Sequence, residues 1–274
     1  MGFEAGASEI WIRFGIFAAV LVGVAALERV IPRRRRTEAI GRRSATNLLI
    51  AGIDSIVVRL MALLALPLAG TAAAVFASTH GIGLLNWLGL PEWINIVVTI
   101  VVLDFAIWLQ HVATHKFPML WQFHQVHHAD VEIDVTTAIR FHPVEMALSV
   151  LWKIVCVLVL GAPVAAVVLF EILLNASAMF SHANIALTPA VDAVLRRLIV
   201  TPDMHRVHHS VLRREQDSNY GFNLAVWDRV FGTYRSQPEN SYENMKIGLK
   251  PYQSNAPTRL GWSLMLPFQR LPKD

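Results

Sequence analysis

The sequence predicts an all-α, polytopic membrane protein: about four to five membrane helices or hairpin segments beneath a cytoplasmic, histidine-lined helical cap. Three observations carry that prediction. Over 274 residues, 54% are hydrophobic and 16% charged, against about 25% charged in an ordinary soluble domain, and the mean hydropathy is +0.46. Several apolar runs are long enough to cross a hydrocarbon core of about 30 Å at about 1.5 Å per residue. Eight of the eleven histidines stand at helical spacing in three patterns, His111-x-x-x-His115, His124-x-x-His127-His128 and His205-x-x-His208-His209.

The first span runs from Ile10 to Ile31, interrupted by Arg13 and, near its end, Glu28 and Arg29. No basic region or small-residue cleavage site precedes it, so it is expected to be retained. A basic cluster follows, with Arg29, Arg33 to Arg36, Arg42 and Arg43. It reads as a topological anchor facing anionic lipid, not as a nucleic-acid surface, and puts that end in the cytoplasm. A second span covers Asn47 to Phe76, with a bend at Pro67; its Asp54 and Arg59 are expected to form a weak internal pair or a polar contact to another helix. Residues 78–92 form a far-side interfacial loop, in which His80 has no partner at ligand spacing and no role.

A third span from Trp93 to Leu109 runs directly into His111, with Asp104 two turns earlier on nearly the same face. That carboxylate either supports a ligand from behind or bonds to a neighbouring helix. Pro118 and Pro202 are placed to open short helices carrying the two triplets, the second with Thr201 as N-cap. The apolar stretch from Pro143 to Phe180 is cut by Gly161-Ala162-Pro163 into two segments, an even number of crossings that returns the chain to the histidine side. Cys156, the single cysteine, excludes an internal disulfide. The organisation expected is N-terminal membrane helices over 1–92, a catalytic domain over 93–234 and a cytoplasmic tail over 235–274.

Neutral imidazole is the commonest metal-binding side chain, residues three and four apart share a helix face, and eight ligands exceed one tetrahedral ion. Two metals are implied. Structural zinc sites generally use thiolates, and a zinc protease needs a His-Glu-x-x-His helix, whereas His111-Val112-Ala113-Thr114-His115 lacks the glutamate. Nitrogen-rich ligation with open positions suits iron and dioxygen, and a site at the lipid boundary suits oxidation of a lipid C–H bond. The alternative is a membrane metal transporter or sensor, although a transporter would carry ionisable ligands near the midplane.

The order of the three patterns resembles the fatty acid hydroxylase and sterol desaturase superfamily. So do the runs Trp121-Gln122-Phe123-His124-Gln125-Val126-His127-His128, Arg140-Phe141-His142-Pro143-Val144-Glu145, Pro202-Asp203-Met204-His205-Arg206-Val207-His208-His209, Asn219-Tyr220-Gly221 and Trp227-Asp228-Arg229-Val230-Phe231-Gly232-Thr233-Tyr234. The similarity covers Trp93 to Tyr234. It implies a helical base under a histidine-lined cap with two iron ions, held by His111, His115, His124, His127, His128, His205, His208, His209 and, from the family pattern alone, His182. It further implies use of O2 and external electrons to hydroxylate or desaturate a fatty acyl, sterol or ether lipid. The donor would be a reductase with a b-type cytochrome or ferredoxin, or a reduced pterin. Asp104, His142 and Asp228 are candidates to support the ligands from behind, His142 also as a tenth ligand or a substrate-channel residue; Arg140 and Glu145 pair with each other or face solvent. The nine-residue step from His115 to His124 is most similar to alkylglycerol monooxygenase-like bacterial members, which typically have glutamate where this chain has Lys116. The expected location is a bacterial inner membrane with the histidines on the cytoplasmic face, or alternatively the endoplasmic reticulum.

Overall fold

The computed structural model describes residues 7–36, 40–64 and 70–269, and over them the protein is helical with only isolated bridges between extended residues. The first helices are α1 (Ala7–Val30), α2 (Ile40–Leu64), α3 (Gly70–Thr79), α4 (Leu84–Leu88), α5 (Glu92–Lys116) and α6 (Pro118–His128). There follow α7 (Pro143–Leu160), α8 (Val164–Ser181), α9 (Pro189–Leu195), α10 (Pro202–His208), α11 (Arg213–Gln216), α12 (Val226–Val230) and α13 (Leu260–Met265). Five of them, α1, α2, α5, α7 and α8, are long and apolar enough to cross a membrane.

Over the expected second span the structure describes two helical parts. α2 ends at Leu64 and α3 begins at Gly70, while the expected bend at Pro67 lies outside the described residues. α3 is small-residue rich, and its Gly70, Ala73, Ala74 and Ala77 are buried, which lets its backbone lie close against α7 and α8. Leu103, Ile107, Val157, Val167 and Phe170 complete that core. Asp54 and Arg59 do not pair: Asp54 is buried with neither carboxylate oxygen hydrogen-bonded, whereas Arg59 is exposed.

Two glycines set the far end of the bundle. Gly161 (φ 69°) closes α7 in the left-handed region open to glycine. A Cβ on Gly83 (φ 97°) would lie 2.2 Å from the Gly161 amide nitrogen, so the loop before α4 seats directly on the α7–α8 turn. At the other end the Arg33 amide donates to the Asn184 carbonyl at 3.0 Å, tying the exit of α1 to the exit of α8.

Most of the basic cluster is not a lipid anchor. Arg43 is 1% exposed and donates to Asp130 at 2.6 Å and to Asp134; Arg36 bridges Glu28 and Asp134, each at 2.8 Å; Arg33 reaches Asp203 at 3.1 Å. Arg36 and Arg43 are paired because the acidic loop after α6 folds back onto the chain at the start of α2, and Arg33 because the start of α10 lies against it. Arg29, Arg35 and Arg42 alone of the cluster are exposed. Residues between 242 and 266 pack onto the rest of the chain. Tyr242, Met245 and Ile247 pack with Ile133 and Val207, and Leu249 and Leu266 pack on Val126 and Ala129.

Candidate metal centre

Nine histidines from four places in the chain meet above the bundle, each at most 3% exposed. α5 contributes His111 and His115 in its last two turns, α6 His124, His127 and His128, and α10 His205 and His208, with His209 directly after it. His182 follows the last residue of α8. Thr201 caps α10 through the Met204 amide, and Pro118 and Pro202 occupy opening positions of α6 and α10.

Their ring nitrogens form two groups, each with ligand atoms within 4.8 Å of one another: His111, His115, His124, His128 and His208 in one, His127, His182, His205 and His209 in the other. Each triplet is therefore divided between the two groups. Helical geometry explains this: residues four apart stay within about 40° on the helix, but adjacent ones diverge by about 100°. His124 and His128 thus share one group while His127 enters the other, and His205 and His209 mirror them with His208 crossing over. The groups adjoin, with the His128 and His209 rings stacked at 4.6 Å.

Hydrogen bonds fix which nitrogen faces inward. The Nδ1–H groups of His111, His208 and His182 donate to the carbonyls of Tyr220, Ser218 and Ala178, each at 2.7 Å, and that of His127 donates to the Arg140 carbonyl at 3.2 Å. Carbonyl oxygens only accept, so Nε2 of each ring carries a bare lone pair. Yet His182 Nε2 lies 3.1 Å from His127 Nε2, and 3.1 and 3.2 Å from Nε2 of His205 and His209. Burial holds His182 down to about 4 and His208 to about 3, and holds His127, His128, His205 and His209 well below the usual histidine range. Neutral acceptors converging without protons call for a cation, and two nitrogens about 2.1 Å from one ion at a right angle lie about 3 Å apart. The donor set fits two metal ions.

Residues 96–233, half of the chain and all nine of these histidines, match the fatty acid hydroxylase family. The chain belongs to the fatty acid hydroxylase family. Its similar relatives include the ornithine lipid hydroxylase OlsE of Rhizobium tropici, 28% identical over 158 residues, covering 57% of this chain and 46% of that protein. Human (Homo sapiens) alkylglycerol monooxygenase is 29% identical over 154 residues, covering 53% and 34%. The very-long-chain aldehyde decarbonylase GL1-6 of Oryza sativa is 26% identical over 175 residues, covering 58% and 26%. The match takes in less than half the length of each of these relatives. No solved structure matches the chain.

In this member of the family the layer behind the histidines differs from the expected one. Glu145 accepts from His124 Nδ1 at 2.6 Å, an arrangement that fixes the ring's tautomer and orientation. It does not pair with Arg140, which is fully buried and donates to the Val126 and Pro257 carbonyls, Asn47 and Ser263 at 2.7–2.9 Å. His142 joins neither group: it caps α7 by accepting from the Val144 amide at 3.2 Å, and its Nε2 meets the Leu264 carbonyl. Asp228 acts one step removed, accepting from the Tyr220 and Gly221 amides at 2.9 and 2.8 Å and so positioning the carbonyl that holds His111. Asp104 accepts from Asn223, Trp227 and the Leu224 amide instead of an imidazole.

Two further residues of the site carried no readable role in the sequence. Asn219, at φ 51°, is the one non-glycine residue with positive φ among those described, a conformation asparagine tolerates better than most. It turns the chain so that Ser218 and Tyr220, on either side, present carbonyls to His208 and His111. Asp217 lies 3.5 Å from His115 Nδ1 and also pairs with Lys116 at 3.2 Å.

Replacing Glu145 with glutamine keeps the shape but removes the charge behind His124. The expected result is metal binding weakened by about 10- to 100-fold, read by chelator competition, with helical content unchanged by circular dichroism.

Proposed function

We propose that the chain is a membrane-bound non-haem diiron oxygenase that hydroxylates a lipid with dioxygen and two external electrons. The observation that carries this reading is the pair of buried histidine groups, with inward lone pairs and no thiolate, at the end of an apolar bundle. Two iron ions held there would supply the activation of dioxygen needed to oxidise an unactivated C–H bond. One oxygen atom enters the lipid, and the other leaves as water with the two electrons and two protons.

The chain's own residues do the rest. The Nδ1 bonds hold each imidazole in one tautomer and orientation, and burial keeps water from the centre. Phe222 stands between the bundle core and the histidines, its ring 4.9 Å from His111 and 6.4 Å from His205, so a hydrocarbon would approach past it. The relatives' names point to lipid hydroxylation, ether-lipid oxidation and aldehyde chemistry; of these we favour hydroxylation. Electrons come from a protein donor, either a reductase with a b-type cytochrome or a ferredoxin, or from a reduced pterin. The exposed Arg35 and Arg42 at the histidine end support a cytoplasmic centre in a bacterial inner membrane. The domain reading follows, with residues 93–234 as the catalytic part.

Purified protein reconstituted with ferrous iron should hold two ions per chain, and cells expressing it under labelled dioxygen should accumulate a lipid carrying one labelled oxygen. A protein that takes up no iron, or identical lipid profiles with and without it, would overturn the reading.

A further inference from the structure

Two short stretches on the histidine side carry apolar side chains on their outer face. On α9 and the turn after it, Val194 and Leu198 are 61% and 70% exposed; at the end of α12, Val230 and Phe231 are 66% and 52% exposed. The stretches adjoin: the Ala225 amide donates to the Leu198 carbonyl and the Val200 amide to the Asn223 carbonyl, each at 3.0 Å. Scattered apolar residues on a surface are ordinary, but a joined patch marks something that covers it.

Helix α5 gives the depth of the patch. The exposed tryptophans Trp11, Trp87 and Trp93 all lie at the end of the bundle away from the histidines, where an interfacial aromatic belt belongs. From Trp93, α5 rises about 18 Å to Phe105 and about 22 Å to Trp108, out of about 30 Å of hydrocarbon. The Phe231 ring stacks on both, 5.8 Å from Phe105 and 4.6 Å from Trp108. Phe231 therefore lies about 8–12 Å beneath the boundary on the histidine side, and tilting α5 takes it deeper. Asp104, beside Phe105, holds the stretch at that level by accepting from the Leu224 amide at 3.2 Å and the Trp227 indole at 2.8 Å.

The polar groups of both stretches suit hydrocarbon, where backbone must be satisfied from within the protein. The Leu198 and Ile199 amides both donate to the Leu195 carbonyl at 2.9 Å, and the Phe231 amide to the Trp227 carbonyl at 2.9 Å. The charges are turned inward. Asp192 is paired with Arg196, Asp228 is fully buried, and Arg229 lies over the Tyr234 ring while donating to the Ala225 carbonyl at 2.9 Å. Within 189–199 and 222–231, Arg197 is the one exposed charged residue, and its long stem lets the guanidinium reach the boundary.

We infer that residues 189–199 and 222–231 form a wedge seated in the hydrocarbon of the histidine-side leaflet, with the acyl chains of the bilayer as its partner. The wedge enters without crossing, since α9 and α12 have seven and five residues and a span needs about 20. The inference concerns how the fold sits in the membrane, and it holds with or without metal.

The test uses the full chain in lipid nanodiscs, with Cys156 replaced by alanine and one nitroxide-labelled cysteine introduced at a time. Leu198→Cys and Val230→Cys probe the wedge, Val101→Cys the outer face of α5, and Asn244→Cys the surface away from the bundle. The ratio of collisions with lipid-soluble oxygen to those with a water-soluble nickel chelate should be about tenfold higher at Leu198 and Val230 than at Asn244, and match that at Val101. Ratios at both wedge positions equal to that at Asn244 would overturn the inference. Labels shielded from both reagents and coupled to a second copy would overturn it too, by making the patch a dimer contact. A phospholipid with an acyl-chain diazirine examines the unaltered chain: photolysis should leave adducts on peptides containing Val194 and Val230, as on those containing Val101, and none around Asn244. Wedge peptides free of adduct sink the inference whether or not the cysteine variants fold.

Discussion

Replacing His182 with alanine is expected to halve the iron content of the protein, from two ions per chain to one at saturating metal, and to abolish lipid oxidation. His182 Nε2 is the common neighbour of His127, His205 and His209, at 3.1, 3.1 and 3.2 Å. Without it the four-histidine group keeps three nitrogens that no longer surround a point. The five-histidine group contains no atom of His182, so its ion remains. Elemental analysis of detergent-purified protein separates the outcomes: two ions retained by the alanine variant would show that His182 is not a ligand. His142→Ala is the control, because His142 caps α7 and lies outside both groups.

Arg43→Ala should be the most destabilising single change in the basic cluster. The guanidinium lies among Asp130, Asp134, the Glu132 carbonyl and Thr137. Removing it leaves Asp130 without its cation and Asp134 with Arg36 alone, which costs about 3–5 kcal/mol for a broken buried pair. For a chain of this size that corresponds to a fall in melting temperature on the order of 10 °C, measured by differential scanning fluorimetry in detergent. Adding Asp130→Asn to Arg43→Ala should recover part of the loss, since Asp134 keeps its pair with Arg36 and Asp130 is the carboxylate left without its cation. An Arg43→Ala protein that melts with the parent would show that the arginine does not hold the loop.

The ligands were legible because helical spacing exposes them: His111 with His115, and the two His-x-x-His-His triplets, declare themselves without a structure. The division of each triplet was also present in the spacing, in the divergence of adjacent residues, although counting ligands per pattern hides it. His182 has no spacing partner and was reachable only through the family pattern. The bonds that orient the rings were not legible, since four of them end on main-chain carbonyls, at Arg140, Ala178, Ser218 and Tyr220, which every residue possesses. Glu145 was visible as a carboxylate, but its partner His124 lies 21 positions away. The arginine cluster was misread for a related reason: a run of cations looks the same whether it meets lipid or an acidic loop. The acidic triplet Asp130, Glu132 and Asp134, two positions apart, was the available clue. Four to five membrane segments followed from hydropathy, and five of the described helices are long and apolar enough to cross.

The crossing-over of His127 and His208 binds the two groups to a shared pair of helices. Whatever orders α6 and α10 for one ion also sets the ligands of the other, so the first ion taken up leaves less disorder for the second to remove. With two irons held as proposed above, loading of the pair would be cooperative: half-filled molecules would be scarce at intermediate iron supply, and the population would divide between empty and complete centres. For chemistry that needs both ions at once, this would keep a lone reactive iron from being exposed to dioxygen beside the membrane.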